Sequence, residues 1–236
     1  MFRGGPLKLA VLISGRGSNM VAIAEACRAG RIAARIALVL SDRGEAAGLA
    51  AAQERGLATA AIERAAYATR EDFERALTTA IDASGAEWVA LAGFMRVLSG
   101  AMVRHFEGRV LNIHPALLPR HKGLHTHRRV LEAGEPLHGC SVHLVTPELD
   151  GGPVIAQASV AVHPQDSEAS LAARVLHEEH RLYPMVIGLI ANGRLRVEGG
   201  LLLLDGRALP APLTDPDEPG LHGPALLGPW RHGAGA

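Results

Sequence analysis

The 236-residue sequence predicts an α/β fold, a doubly wound and mostly parallel sheet with antiparallel strands in its C-terminal half. Short, nearly uninterrupted apolar runs alternate with segments of helical spacing through residues 7–113, as expected of strands covered on both faces by crossover helices. A glycine-rich break, Gly15-Arg16-Gly17-Ser18-Asn19, separates the first apolar run from the first helical segment. After Pro119 the character changes: alternating or β-branched runs around Asp150-Gly151-Gly152 point to strands paired antiparallel.

Each element follows from local pattern. Residues 7–13 form a continuous apolar strand, and Met20, Ile23, Ala24 and Cys27 then fall at i, i+3, i+4 and i+7, one face of a helix. A buried strand is predicted over 36–40, an alanine-rich helix over 45–55, a short strand over 59–62 and a helix over 70–83. The strand at 88–92 runs into Gly93-Phe94-Met95-Arg96, and a short helix at 99–106 leads to a strand at 110–113. Strands at 141–145 and 154–162 flank the Asp150 turn. Ser167 caps a long helix with Glu168 in its first turn, an apolar stripe from Leu171 to Leu189 and a kink expected at Pro184. Residues 195–207 read as a terminal hairpin. The domain is expected to span 1–209, with 210–236 a Pro/Gly-rich, loosely ordered tail that does no chemistry.

Composition narrows the function. Lys plus Arg and Asp plus Glu are both 24, so no strong field for nucleic acid is expected. The two cysteines, Cys27 and Cys140, have no disulfide or CxxC spacing and suit a reducing cytoplasm as buried small side chains. No signal peptide and no membrane span is read from the sequence.

The chemistry concentrates at a strand end. Asn112-Ile113-His114-Pro115 delivers a neutral hydrogen-bond donor and a group that exchanges protons near neutral pH, and Asp150 in its Gly-rich turn supplies a carboxylate. Alone, the pair is equally a polar strand end satisfied by its loop. Asp150 tips the reading towards an acyl-transfer site without a covalent nucleophile, with Gly151 and Gly152 letting backbone approach a ligand. Gly17, Ser18 and Asn19 offer a phosphate cradle at a helix N-terminus, against the alternative of a tight turn with an Asn cap. They lack the Lys-Ser/Thr of a P-loop and the third glycine of a dinucleotide fingerprint, so a monophosphate is the better guest. Glu179 sits on the apolar stripe of the last helix, needing a buried partner or reaching solvent at the stripe's edge. Several histidines crowd 121–143, but His177 and His180 stand at i and i+3 rather than the i and i+4 of a helical zinc motif, and no metal is expected.

Six separated motifs, namely residues 12–19, 91–96, 111–115, 123–127, 148–153 and Glu179-His180 near Tyr183-Pro184, occur in one order. Through them the sequence, from about Lys8 to Gly206, resembles the folate-dependent phosphoribosylglycinamide formyltransferase family of purine synthesis. The resemblance implies a Rossmann-like formyltransferase fold and transfer of the formyl group of 10-formyltetrahydrofolate to the amino group of glycinamide ribonucleotide. It implies that Gly17, Ser18 and Asn19 hold the ribonucleotide phosphate and Glu179 the ribose. Folate lies along Met95, Arg96, Val97 and Leu98 with Arg70 on the same side, and Asn112, His114 and Asp150 form the catalytic trio, Asn112 also on the folate side. Ala116, His121 and Cys140 depart from the Ser, aromatic and Thr common in the family; none removes a proposed catalytic group. The expected partners are these two small molecules, with no nucleic acid or membrane, in a cytoplasmic monomer or homodimer.

Two other enzymes share such a site. A formyltetrahydrofolate hydrolase would put water in place of the amine, but Gly123-Leu124-His125-Thr126-His127 looks more like the glycinamide enzyme. A methionyl-tRNA formyltransferase fits poorly with a chain that has no basic excess. A non-catalytic folate or nucleotide sensor is disfavoured by the presence of Asn112, His114 and Asp150.

Overall fold

The computed structural model describes residues 5–214. Its elements are β1 (Leu7–Ile13), α1 (Ser18–Arg28), β2 (Ala34–Ser41), α2 (Ala47–Gln53), β3 (Thr59–Ala61), a 3-10 turn at Arg64–Ala66, α3 (Arg70–Ala83), β4 (Trp88–Leu91), α4 (Gly100–His105) and β5 (Val110–His114). They continue with α5 (Thr126–Ala133), β6 (Leu137–Leu144), β7 (Val154–Ala161), α6 (Glu168–Ala191), β8 (Leu195–Glu198), β9 (Leu201–Leu204), β10 (Arg207–Ala208) and β11 (Leu213–Thr214). The main sheet has the order β11-β7-β6-β5-β4-β1-β2-β3. Neighbours from β3 to β5 run parallel, whereas β5–β6 and β6–β7 are antiparallel.

Strand alternation explains both the sheet and the site. Leu7, Leu9, Val11 and Ile13 of β1 point into one core with Met20 and Ile23 of α1 and Leu171, Val175 and Tyr183 of α6. Ala10 and Leu12 point the other way, into a core with Phe73, Leu77 and Ile81 of α3 and Met102 of α4. A strand covered on both faces must be apolar throughout, hence the continuous run; each fully buried large aliphatic side chain contributes about 1.5–3 kcal/mol. In β5, Leu111 and Ile113 face the first core and Val110 the second, so Asn112 and His114 share Val110's side of the sheet.

The long helix α6 continues through Pro184, and the Ser167 side chain accepts from Ser170 N–H in a capping box. The hydroxyl of buried Tyr183 donates to the carbonyls of Leu91 (3.2 Å) and Leu111 (3.1 Å), tying α6 to the sheet just behind Asn112.

Three elements depart from the expectations. α5 has only Val130 fully buried among its hydrophobic residues, too thin an apolar stripe to read from sequence, and it is bracketed by left-handed His125 (φ 57°) and Gly134 (φ 61°). β6 starts at Leu137 rather than 141, because His138 and Gly139 pair with Val160 and Ser159. A Cβ at Gly139 would meet the Ala158 carbonyl at 2.0 Å, so only glycine permits that pairing. Residues 195–208 form three strands, β10-β9-β8, rather than a hairpin, and β11 then pairs parallel with β7 within the segment read as a tail. The remainder of that segment, 215–236, lies outside the described residues. Cys140 is buried, and Cys27 is only half-buried. Among the described residues no helix is long and apolar enough to cross a membrane.

Candidate active site

The site begins where β1 ends. Gly17 takes the left-handed conformation (φ 72°, ψ 25°) and caps α1 through its backbone, with no side-chain cap bond. The first helical bond runs from Val21 N–H to the Gly17 carbonyl at 2.9 Å, so the N–H groups of Ser18, Asn19 and Met20 have no partner within the helix. A Cβ on Gly17 would lie 2.9 Å from the Gly48 Cα, and the Gly48 N–H donates to the Gly15 carbonyl at 2.9 Å. Two glycines therefore let the start of α2 press the loop into shape. The Asn-cap alternative does not hold, because the Asn19 amide instead donates to Glu179 Oε2 at 2.6 Å across the α1–α6 contact.

Glu179 has found its buried partner rather than solvent. It is 8% exposed, and burial pushes its carboxyl up to about 6 against the opposing pull of the Asn19 hydrogen bond. Asn19 Oδ1 is buried without a partner, so this pair presents an unspent acceptor beside the helix N-terminus.

Asn112 and His114 project together from β5. In the antiparallel register Asn112 stands opposite His143 and His114 opposite Ser141. His143 Nδ1 is 2.8 Å from the Leu144 carbonyl, which can only accept, so Nδ1 carries the proton and Nε2 is left to accept. Asn112 Nδ2 donates to that nitrogen at 3.1 Å, which assigns the amide orientation and leaves its second N–H free. Burial holds His143 below the usual histidine range and so favours its neutral form.

His114 is also buried, with Nε2 2.9 Å from the His121 carbonyl and Nδ1 3.5 Å from Asp150 Oδ2. Nε2 must donate, and Nδ1 faces the carboxylate across a gap longer than a strong hydrogen bond. Asp150 Oδ2 accepts from Gly123 N–H at 2.9 Å, and Oδ1 lies 3.7 Å from His143 Nε2. The left-handed residue of this turn is Asp150 itself (φ 47°), not Gly151 or Gly152. The glycines serve packing: a Cβ on Gly152 would meet the Leu144 carbonyl at 1.9 Å, and one on Gly151 the Glu148 side chain at 2.3 Å.

Behind His114, His127 and His138 pack against each other. His127 Nδ1 and His138 Nε2 meet at 2.9 Å, and burial foremost lowers both, His138 to about 4. The lowered values disfavour added positive charge beside the trio. Among the described residues no three His, Cys, Asp or Glu side chains form a metal cage.

The segment expected to face folate divides. Met95 is 65% and Val97 56% exposed, whereas Leu98 is buried in the second core. Arg96 Nε binds Asp42 Oδ2 at 2.5 Å and its guanidinium lies 5.6 Å from the Phe73 ring centre, so it shapes the segment from below. Arg70 donates from Nε to Glu74 at 3.0 Å and from its terminal nitrogen to the Val97 carbonyl at 2.6 Å. Glu74 also accepts from Ser99 N–H at 2.9 Å, and Met95 N–H donates to Ser14 Oγ at 2.9 Å.

Glu74 and Ser14 carry no signal in the sequence, and His143 stands out there only as one of the crowded histidines. Its alternation with Ser141 could be read, but its pairing with Asn112 required the register.

Known proteins resemble this chain over most of its length. Residues 7–187 match the formyl transferase family. The chain is 49% identical over 204 residues to a phosphoribosylglycinamide formyltransferase of Escherichia coli (strain K12), covering 86% of this chain and 96% of that protein. It is 41% identical over 191 residues to the trifunctional purine biosynthetic protein adenosine-3 of Gallus gallus, covering 81% of this chain and 19% of that protein. The structure of the phosphoribosylglycinamide formyltransferase of Coxiella burnetii superposes with a TM-score of 0.86 at 44% identity, covering 89% of this chain and all of that one.

Proposed function

The chain belongs to the formyl transferase family and transfers the formyl group of 10-formyltetrahydrofolate to the amino group of glycinamide ribonucleotide in purine synthesis; we propose that Asn112, His114 and Asp150 carry the chemistry. The observation that supports this assignment is the convergence of those three side chains from β5 and the β6–β7 turn, with His114 Nδ1 3.5 Å from Asp150.

In the proposed mechanism the neutral amine attacks the formyl carbon, and the oxygen of the tetrahedral intermediate takes on negative charge. The N–H of Asn112 not bonded to His143 is positioned to donate to that oxygen. Collapse breaks the bond to the folate nitrogen, which gains a proton, while the attacking amine loses one. His114 handles both through Nδ1, because Nε2–H is occupied by the His121 carbonyl, and Asp150 balances the charge that passes through the ring. Holding both substrates against one strand end supplies much of the remaining acceleration through orientation.

The acceptor phosphate is assigned to the backbone of Gly17, Ser18 and Asn19, and the ribose hydroxyls to Glu179. Folate is assigned to the exposed Met95 and Val97, with Arg70, Arg96 and Leu98 fixing the segment that presents them. A cytoplasmic location and a monomer or homodimer complete the proposal.

Release of the folate product, measured with and without glycinamide ribonucleotide, tests the reading. Acceptor-dependent transfer is expected; acceptor-independent loss of formyl would assign a hydrolase, and binding without turnover a sensor. Asn19→Ala, which removes the amide bonded to Glu179, is expected to weaken acceptor binding, and an unchanged acceptor Kd counts against the ribose assignment.

A further inference from the structure

His114 is the only titratable member of the trio whose ring nitrogens must play two different roles, and something has to decide which nitrogen does which. The carbonyl that takes its Nε2–H belongs to His121, which is left-handed at φ 52°. For a non-glycine residue that conformation is strained and persists only where its surroundings determine it. The surroundings here are specific. His121 Nε2 lies 2.8 Å from Glu135 Oε1, and Glu135 Oε2 is 3.0 Å from Arg120. Glu135 follows α5 directly, after the left-handed Gly134, and the His121 hydrogen bond together with Arg120 holds its carboxyl below the usual range. The His121 ring is thus gripped from the end of α5 while its own carbonyl grips His114.

We propose that Glu135 and His121 are positioning residues that lock His114 in the Nε2–H tautomer and so reserve Nδ1 for proton exchange at the reacting atoms. The chain of contact is short: carboxylate to imidazole, imidazole to its own backbone, backbone carbonyl to His114. It explains why a histidine stands at 121. Its ring is long enough to reach Glu135 and carries an N–H to donate there, whereas an apolar ring would leave the residue's strained backbone without that tether.

The inference rests on His114 being the proton carrier, and its test is built to separate the two. Nitrogen-15 NMR of the whole protein, with the His114 signals assigned by their loss in His114→Gln, reads the tautomer of the neutral ring directly. The wild type is expected to show the Nε2–H tautomer alone. Glu135→Ala is expected to show a mixture of tautomers, a kcat lower by about tenfold or more, and KM for both substrates within about twofold, because misorientation of one reacting group acts on turnover. Glu135→Gln keeps an acceptor for His121 and is expected to return both tautomer and kcat towards wild type. If Glu135→Ala does not fold, His121→Leu severs the same contact from its other end and is read in the same way. An unchanged tautomer in a folded Glu135→Ala or His121→Leu overturns the inference, even if turnover falls. Near-wild-type turnover in His114→Ala would instead overturn the functional reading, leaving the measured tautomer effect in place.

Discussion

The glycine-loop side of the site and its histidine side adjoin the same sheet but are built by different means. The loop between β1 and α1 works through backbone: Gly17 is left-handed where glycine carries no penalty, and the helix N–H groups it exposes come with the fold. The histidine side works through side chains. His143 is set by the neighbouring Leu144 carbonyl and by Asn112 of β5, His114 by the His121 carbonyl from a loop, and left-handed backbone falls on His121, His125 and Asp150. A binding surface tolerates being generic, whereas a proton path needs each tautomer set, and strain in non-glycine residues accompanies that demand.

If this division is right, substitutions on the two sides should fail differently. The largest effect is expected from His114→Ala and Asp150→Asn, which should lower kcat by roughly a hundredfold or more while leaving the acceptor Kd largely intact. Steady-state kinetics paired with calorimetry of ribonucleotide binding checks both halves of that statement.

Gly17→Ala should do the reverse. Its Cβ would strain the left-handed backbone and press on Gly48, so acceptor Kd should rise by about tenfold, equivalent to ~1.4 kcal/mol, with saturated kcat changed little. An acceptor Kd unaffected by that change would remove the loop from the account.

A smaller effect sharpens the histidine side. Neutral His143 accepts from Asn112, but its protonated ring has no acceptor left, so turnover should fall as pH drops through the lowered His143 pKa. His143→Gln, whose amide oxygen can accept, should retain more activity than His143→Leu; equal loss in both would break the link to Asn112.

The smallest effects are expected in stability. His127, His138 and His143 have folded pKa values below the ordinary 6.5, so the unfolded chain binds more protons as pH falls beneath that value. Their contribution is present above about 6.5 and is lost progressively towards the His138 value of about 4. Thermal melts across that window should show a falling Tm, with a shallower slope in His138→Gln.

The same contrast explains how much was legible beforehand. Gly17, Ser18 and Asn19 could be read from sequence because a strand, a glycine break and a helical stripe are contiguous. Asn112 and His114 were visible because polar residues interrupt an apolar strand at its end. What stayed hidden depends on register and loop return. The Asn19–Glu179 bond spans α1 and α6, the Asn112–His143 pair spans two strands, and the Glu135–His121 tether joins the end of α5 to a loop residue. The elements missed have the same origin, since α5 has a thin apolar stripe and the start of β6 is held by the ladder rather than by hydrophobic pattern.

Whether binding and proton transfer are separable is tested by single-turnover formyl transfer by His114→Ala at saturating substrates, alongside its acceptor Kd. The rate should fall by about a hundredfold or more with a Kd within about twofold of wild type. A near-wild-type rate, or a Kd that worsens in step with the rate, would contradict that separation.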